Sequence, residues 1–443
     1  MTLTNILPSL RSSLPTQLGS GVWPSTASWD GRGDLVVGDV ALSGLAARHG
    51  TPTYVLDEAD VRMRCGEYLD AFGPDGVAYT AKALLTRGVA RWLAEEGLRL
   101  YAGSVGELHV GLAGGFPPDR IVMYGSAKTP EDLDAAYTNG VGTIVAESLS
   151  EITRLAATAP RGQRVLLRIL AGHEPLDGTD NHRFGLRVGS GEAAAAVARL
   201  AAQPGLALVG FDCSVGHQVN RFAVYEREVR RLVEFLAVMR ARHGIAAAEL
   251  NLGGGHAVAY SSQDLGFALD AFAGRIRAVV NLEADRHHLP APRLTVSPGR
   301  AIVSRAGITV YRVVSVVQGQ NGRRIVAVDG GMTDCPAGAL CGSRHTAVLF
   351  GRTSCAAPQP ASLVGRHNDS ADVIVPTLDL PADLRPGDFL AVAGTGAYHH
   401  SLASNYHLLT RPALLGVRDG HVTTLVRRET LADLLARDGD ASA

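Results

Sequence analysis

Lys82 closes the run Tyr79-Thr80-Ala81-Lys82-Ala83, where a strand-like apolar stretch ends on a primary amine. An amine held at a strand end can attack a carbonyl and form a Schiff base. Alone, such a lysine is more often a solvated loop end, so its meaning rests on what stands downstream. Gly253-Gly254-Gly255 directly follows the strand-like Leu250-Asn251-Leu252, and backbone N–H groups there can approach an anion with no Cβ in the way. Ser297-Pro298-Gly299-Arg300 ends the segment Arg293-Leu294-Thr295-Val296. It joins a fixed turn to a guanidinium that suits phosphate or carboxylate. Between these lies Phe211-Asp212-Cys213-Ser214-Val215-Gly216-His217-Gln218, which places Ser214 and His217 after another strand and makes His217 a candidate to move a proton. Polar clusters also stand at Asp329-Gly330-Gly331-Met332, at 365–370 with Asn368 and Asp369, and at 394–401 with Tyr398, His399 and His400.

The elements that must position these groups follow a βα rhythm. Thr53-Tyr54-Val55-Leu56, Gly76-Val77-Ala78-Tyr79, Arg120-Ile121-Val122-Met123, Gly142-Thr143-Ile144-Val145, Val165-Leu166-Leu167-Arg168, Ala207-Leu208-Val209-Gly210 and Glu249-Leu250-Asn251-Leu252 read as short apolar strands. Segments of helical period, rich in Ala, Leu, Arg and Glu, lie between them. About eight such units in roughly 250 residues predict an α/β fold with a (β/α)8 barrel. Beyond residue 300 the pattern turns to strands parted by Gly and Pro, which predicts a second, mostly β domain of sandwich or barrel-like form. The expected division is an N-terminal arm at 1–45, the barrel at 46–300 and the β domain at 301–443.

A chain of 443 residues with 42 Lys plus Arg against 43 Asp plus Glu carries a net charge of about −1. That gives no electrostatic case for nucleic acid or an anionic membrane, and the expected partner is a small molecule. Five cysteines, odd in number and widely spaced, argue against a disulfide framework or a zinc site, and no metal is expected. With no charged leader and no long apolar run, the expected setting is soluble and cytoplasmic.

Taken in order, these stations resemble the fold type III (alanine-racemase-fold) pyridoxal phosphate decarboxylases, and within them the diaminopimelate decarboxylases. Supporting segments are residues 47–57, Gly103-Ser104-Val105-Gly106-Glu107-Leu108, Arg183-Phe184-Gly185 and Val426-Arg427-Arg428-Glu429-Thr430. The resemblance implies pyridoxal 5'-phosphate held covalently by Lys82, with Gly253, Gly254, Gly255, Gly299 and Arg300 around its phosphate or the substrate and Tyr398 reaching the cofactor. It also implies an N-terminal segment that joins the β domain, and a head-to-tail homodimer whose sites are shared, Asn368 and Asp369 being contributed across the interface.

Departures from the family pattern fall on the chemistry. Ser214 stands where the family has the histidine that covers the ring, and His217 where it has a phosphate-side serine. Ser297 replaces the glutamate at the ring nitrogen. Ala337 and Cys341 replace an arginine and a tyrosine of the substrate side, and Asn368 replaces the cysteine proposed as proton donor, while Asp369 keeps a charge. These differences lead to the expectation of a lyase acting on an amino acid or amino-acid conjugate other than diaminopimelate, in a specialised pathway, with His217, His399 or His400 supplying protons. Another pyridoxal phosphate reaction, such as β-elimination, replacement or racemisation, and a non-catalytic cofactor-binding role stay open at this point.

Overall fold

The computed structural model describes residues 18–19, 21–171, 185–245, 247–319, 322–336 and 344–439. It divides into two compact units, one of residues 62–257 and 266–301, the other of residues 1–61, 258–265 and 302–443.

In the first unit, runs of Val, Ile, Leu and Ala buried over nearly their whole length form parallel strands. Continuous apolar runs are what a parallel sheet covered on both faces requires. The order around the sheet is Ala78–Thr80, Arg99–Ala102, Ile121–Met123, Thr143–Ala146, Gln163–Leu170, Leu206–Asp212, Glu249–Asn251 and Arg293–Thr295. The last strand returns to the first through a parallel bridge between Val77 and Val296. There the Ala78 N–H donates to Val296 O at 2.9 Å and the Val296 N–H to Gly76 O at 2.8 Å. Ala78, Tyr101, Val122, Val145 and Leu166 meet inside as a buried cluster. Several following helices start on a side-chain cap: Thr86, Ser104, Thr129 and Ser148 each accept from the N–H three residues on, which fixes where each βα loop ends.

Two strands differ from the expected series. Thr53–Asp57, taken as the first barrel strand, belongs to the second unit's sheet, where it runs antiparallel to Gly307–Gln318 and parallel to Ala413–Arg418. The barrel place goes to Arg99–Ala102, between Ala78–Thr80 and Ile121–Met123. All five residues of Thr53–Asp57 are buried, and such a run reads the same whichever sheet receives it.

The second unit is built on the long strand Gly307–Gln318, which pairs with Thr53–Asp57, Arg324–Val328 and Phe389–Ala393. Its register shifts between Val313 and Ser315, and the strand serves two cores. One gathers Val55, Ile308, Val310, Phe350 and Leu415 with Val22, Trp23, Leu35 and Val37 of the N-terminal segment. The other gathers Tyr311, Val313, Val326, Leu363, Ile374 and Leu390. Among the described residues no helix is long and apolar enough to cross a membrane.

Candidate active site

Parallel strands deliver all their C-terminal ends to one face of a barrel, and side chains at those ends converge there. Lys82 lies in the 3-10 turn Ala81–Ala83 immediately after Ala78–Thr80. Ala81 and Ala83 are buried and anchor the turn, while the Lys82 side chain is exposed. Loss of hydration among the flanking protein groups is the main influence that lowers the proton affinity of its amine; Arg168 and Arg300 lower it further, and Glu107 and Glu147 act in the opposite sense. A lysine so placed spends more time as the neutral nucleophile that Schiff-base chemistry needs.

Beside it runs a buried polar spine. Arg168, in the strand Gln163–Leu170, places Nη1 3.1 Å from Asp212 and 3.7 Å from Glu147. Burial pushes the Asp212 carboxyl up to about 6 against the pull of Arg168, and Glu147 adds to the rise. The Tyr101 hydroxyl donates to Asp212 at 3.2 Å, and the Asn251 side-chain amide donates to that hydroxyl at 2.8 Å. Asn251 Oδ1 in turn accepts the Gly253 N–H at 2.6 Å. The glycine triplet is thereby fixed to the same network that surrounds Arg168.

The loops at this face are tied to one another through backbone carbonyls. Thr80 Oγ1 donates to Ser297 O at 2.7 Å, and the Ser297 N–H to Gly253 O at 2.8 Å. Gly253 and Gly255 have φ of 74° and 80°. A Cβ at Gly253 would stand 2.5 Å from Cys213 O, one at Gly254 2.5 Å from Ser297 O, and one at Gly255 would collide with Gly216 O. Only residues without side chains allow these strands' loops to close on one another, and what remains is a cradle of bare backbone.

His256, next after the triplet, is 1% exposed and accepts or donates at Nδ1 with the Tyr68 hydroxyl at 2.8 Å, stacked against Phe267. Burial, aided by Arg64, lowers its pKa to about 3. The unfolded chain takes up this proton near 6.5 and the folded chain does not, so the stability is complete above about 6.5 and falls as the pH drops from there towards 3, by at most about 1.4 kcal/mol per pH unit. Between pH 7.5 and 5, wild type is expected to lose about 2 kcal/mol more than His256→Leu, measured by chemical denaturation. Parallel losses in the two proteins would contradict this account of His256.

The residues singled out in the sequence divide between the two units. Lys82, Ser214, His217, Gly253, Gly254, Gly255, Ser297, Gly299 and Arg300 follow the C-terminal ends of barrel strands. Ser214 is half-buried, His217 exposed and Ser297 buried. Tyr398, half-buried with φ 62°, and the exposed Asn368 and Asp369 lie in the second unit. Ala337 and Cys341 fall outside the described residues. Of the other candidate proton donors, His399 is fully buried. His400 is lowered to about 4 by burial and Arg411, so it does not serve as an imidazolium acid at neutral pH. Sequence reasoning passed over Tyr101, Glu107, Glu147, Arg168, Asp212 and Asn251 as site residues. Except for Glu107, which lies in the first turn of the helix Val105–Ala113, their common signal is a polar group inside, or just after, the C-terminal end of an apolar strand.

Residues 58–304 match the family described as pyridoxal-dependent decarboxylase, pyridoxal binding domain. The diaminopimelate decarboxylase of Actinosynnema pretiosum subsp. auranticum is 45% identical over 444 residues, covering 99% of this chain and all of that protein. That of Mycobacterium tuberculosis (strain ATCC 25618 / H37Rv) is 40% identical, covering 95% of this chain and 98% of its own length. A crystal structure of diaminopimelate decarboxylase from M. jannaschii in complex with L-lysine matches with a TM-score of 0.87 at 26% identity, covering 94% of this chain and 98% of that one. These full-length matches overturn the expectation of a substrate other than diaminopimelate, and with it the elimination, racemisation and non-catalytic alternatives. That expectation counted what Ser214, Ser297, Ala337 and Asn368 lack. The charge around Lys82 is set by Arg168, Glu107, Arg300 and Glu147 together, so losses at single motif positions do not by themselves redefine the site.

Proposed function

From the premise that the chain belongs to the pyridoxal-dependent decarboxylase family and is a pyridoxal-phosphate-dependent carboxy-lyase acting on an amino acid, we propose that its substrate is 2,6-diaminopimelate, which loses one carboxylate to give L-lysine. The observation that carries this reading is the 45% identity to a diaminopimelate decarboxylase along 99% of the chain. The M. jannaschii relative in complex with L-lysine supports the product.

The residues fit the cofactor. The backbone N–H groups of Gly253–Gly255, which no side chain covers, and Arg300 would hold its phosphate, and the Lys82 amine, inclined to the neutral form, would hold its aldehyde carbon. Bound pyridoxal phosphate supplies the electron sink that receives the pair left when the Cα–carboxylate bond breaks. Lys82 Nζ would be the group that delivers a proton to the carbon from which the carboxylate leaves. Arg168 and Arg300 make it a readier proton donor, and Glu107 and Glu147 temper that tendency. Ser297 and Ser214 bring hydroxyls, which bind without charge, so the carboxylates of Asp212, Glu147 and Glu107 are the anions the barrel unit keeps near this face.

Asn368 and Asp369, exposed on the described chain, are part of the same reading as groups that a second copy supplies, in a head-to-tail homodimer. Four described cysteines are free thiols, in keeping with a reducing, cytoplasmic setting. Steady-state CO2 release from diaminopimelate, ornithine, arginine and lysine, offered separately to the cofactor-loaded enzyme, tests the substrate. A kcat/KM for diaminopimelate at least about a hundredfold above the others is expected, a gap of nearly 3 kcal/mol in transition-state binding. Comparable rates across the panel, or none on diaminopimelate, would overturn the assignment.

A further inference from the structure

Three side chains of the second unit converge in its interior: Cys335, His345 and His399 each offer a ligand atom, and these atoms lie within 4.8 Å of one another. All three residues are buried, at 1%, 3% and 0% exposure. Cys335 lies in the turn after Gly331, His345 just before the strand Ala347–Phe350, and His399 just before the 3-10 turn His400–Leu402.

The two rings are held by the backbone. His345 Nδ1 is 2.9 Å from Ala393 O, and His399 Nδ1 is 2.8 Å from Ala397 O. A carbonyl oxygen only accepts, so in each ring Nδ1 carries the hydrogen and Nε2 keeps the lone pair. Both Nε2 atoms are buried. The rings meet edge to face with centroids 5.0 Å apart, and Tyr260 packs edge-on to His345 at 4.7 Å. A neutral imidazole whose far nitrogen is anchored on a carbonyl is the arrangement in which proteins present histidine to a metal.

We propose that Cys335, His345 and His399 form a zinc site. Two imidazole nitrogens and one thiolate suit Zn(II), a borderline-soft ion that takes four ligands at 2.0–2.3 Å in roughly tetrahedral geometry, and three protein donors leave one position for water. On loading, Cys335 Sγ gives its proton to solvent and both rings bind neutral, so one proton leaves per ion. Burial holds the empty site's thiol protonated, which keeps the apo pocket free of an unpaired charge. The ion ties the segment after Gly331, the edge of Ala347–Phe350 and the segment that holds Tyr398 at φ 62° to one point.

Tag-free protein loaded with zinc and dialysed against metal-free buffer is expected to retain about one equivalent per chain by mass spectrometry, and Cys335→Ser and His399→Gln less than a tenth of that. Cobalt(II) in place of zinc in the wild-type chain is expected to give a near-ultraviolet thiolate-to-metal charge-transfer band, a readout that does not depend on how well the variants fold. Sub-stoichiometric zinc in wild type, equal content in the variants, or a cobalt-loaded protein without the thiolate band would each overturn the site.

Discussion

Replacing Lys82 with alanine is expected to abolish the visible absorbance of covalently held pyridoxal phosphate and to lower kcat/KM on diaminopimelate by at least about a thousandfold, the scale on which loss of an attacking group registers. The variant should still fold, because the Lys82 side chain is exposed while the alanines on either side carry the packing. Its stability should lie within about 0.5 kcal/mol of wild type. Full cofactor absorbance with near-normal turnover in Lys82→Ala would show that another amine does the work. Destabilisation together with loss of activity would show that the residue is chiefly structural. Absorbance titration with pyridoxal phosphate and a denaturation curve separate these outcomes.

The second large effect belongs to Gly255. A methyl group there meets Gly216 O head on, and the backbone sits at φ 80°, so alanine must move the loop that carries His217 or leave the left-handed region. Either response opens the cradle. Strain at such a position costs roughly 1–3 kcal/mol, so Gly255→Ala is expected to weaken pyridoxal phosphate binding by about a hundredfold. Gly266→Ala is the control, since a Cβ there meets nothing within 4 Å, and its affinity should equal that of wild type. Equal affinities in all three proteins would remove the phosphate from this turn.

What the sequence could reveal about the site was local. Lys82, the glycine triplet and Ser297-Pro298-Gly299-Arg300 each follow a strand within a few residues, so a strand assignment was enough to bring them to one face. Arg168, Asp212 and Glu147 come from three different strands' ends, and their pairing at 3.1 and 3.7 Å exists only after the barrel closes. Cys335, His345 and His399 were illegible for the same reason. Cys335 and His345 stand ten residues apart and His399 more than fifty beyond, a spacing unlike the short ligand spacings by which a metal site is read along a chain.

The barrel was legible because parallel strands covered on both faces are uniformly apolar. That same uniformity misassigned one strand. Thr53–Asp57 has the buried, alternation-free texture of a barrel strand, yet it pairs with Gly307–Gln318 and Ala413–Arg418, partners more than two hundred residues away. Arg99–Ala102 begins on an arginine whose charge hides the strand. In the fold that charge is answered by Glu249, 2.8 Å away across the barrel interior, a compensation that no local reading shows. The substrate expectation failed differently: it weighed side chains absent at motif positions without the charged groups the fold brings beside them.

The central claim is that this site removes one carboxylate from diaminopimelate. Incubating the cofactor-loaded enzyme with diaminopimelate in deuterated water, and following both CO2 and the amino-acid product by mass spectrometry, tests it most directly. The account predicts one CO2 per L-lysine formed, with a single solvent deuterium at the carbon that lost its carboxylate. Recovery of diaminopimelate carrying deuterium at Cα with both carboxylates intact, or of unlabelled diaminopimelate alone, would contradict it.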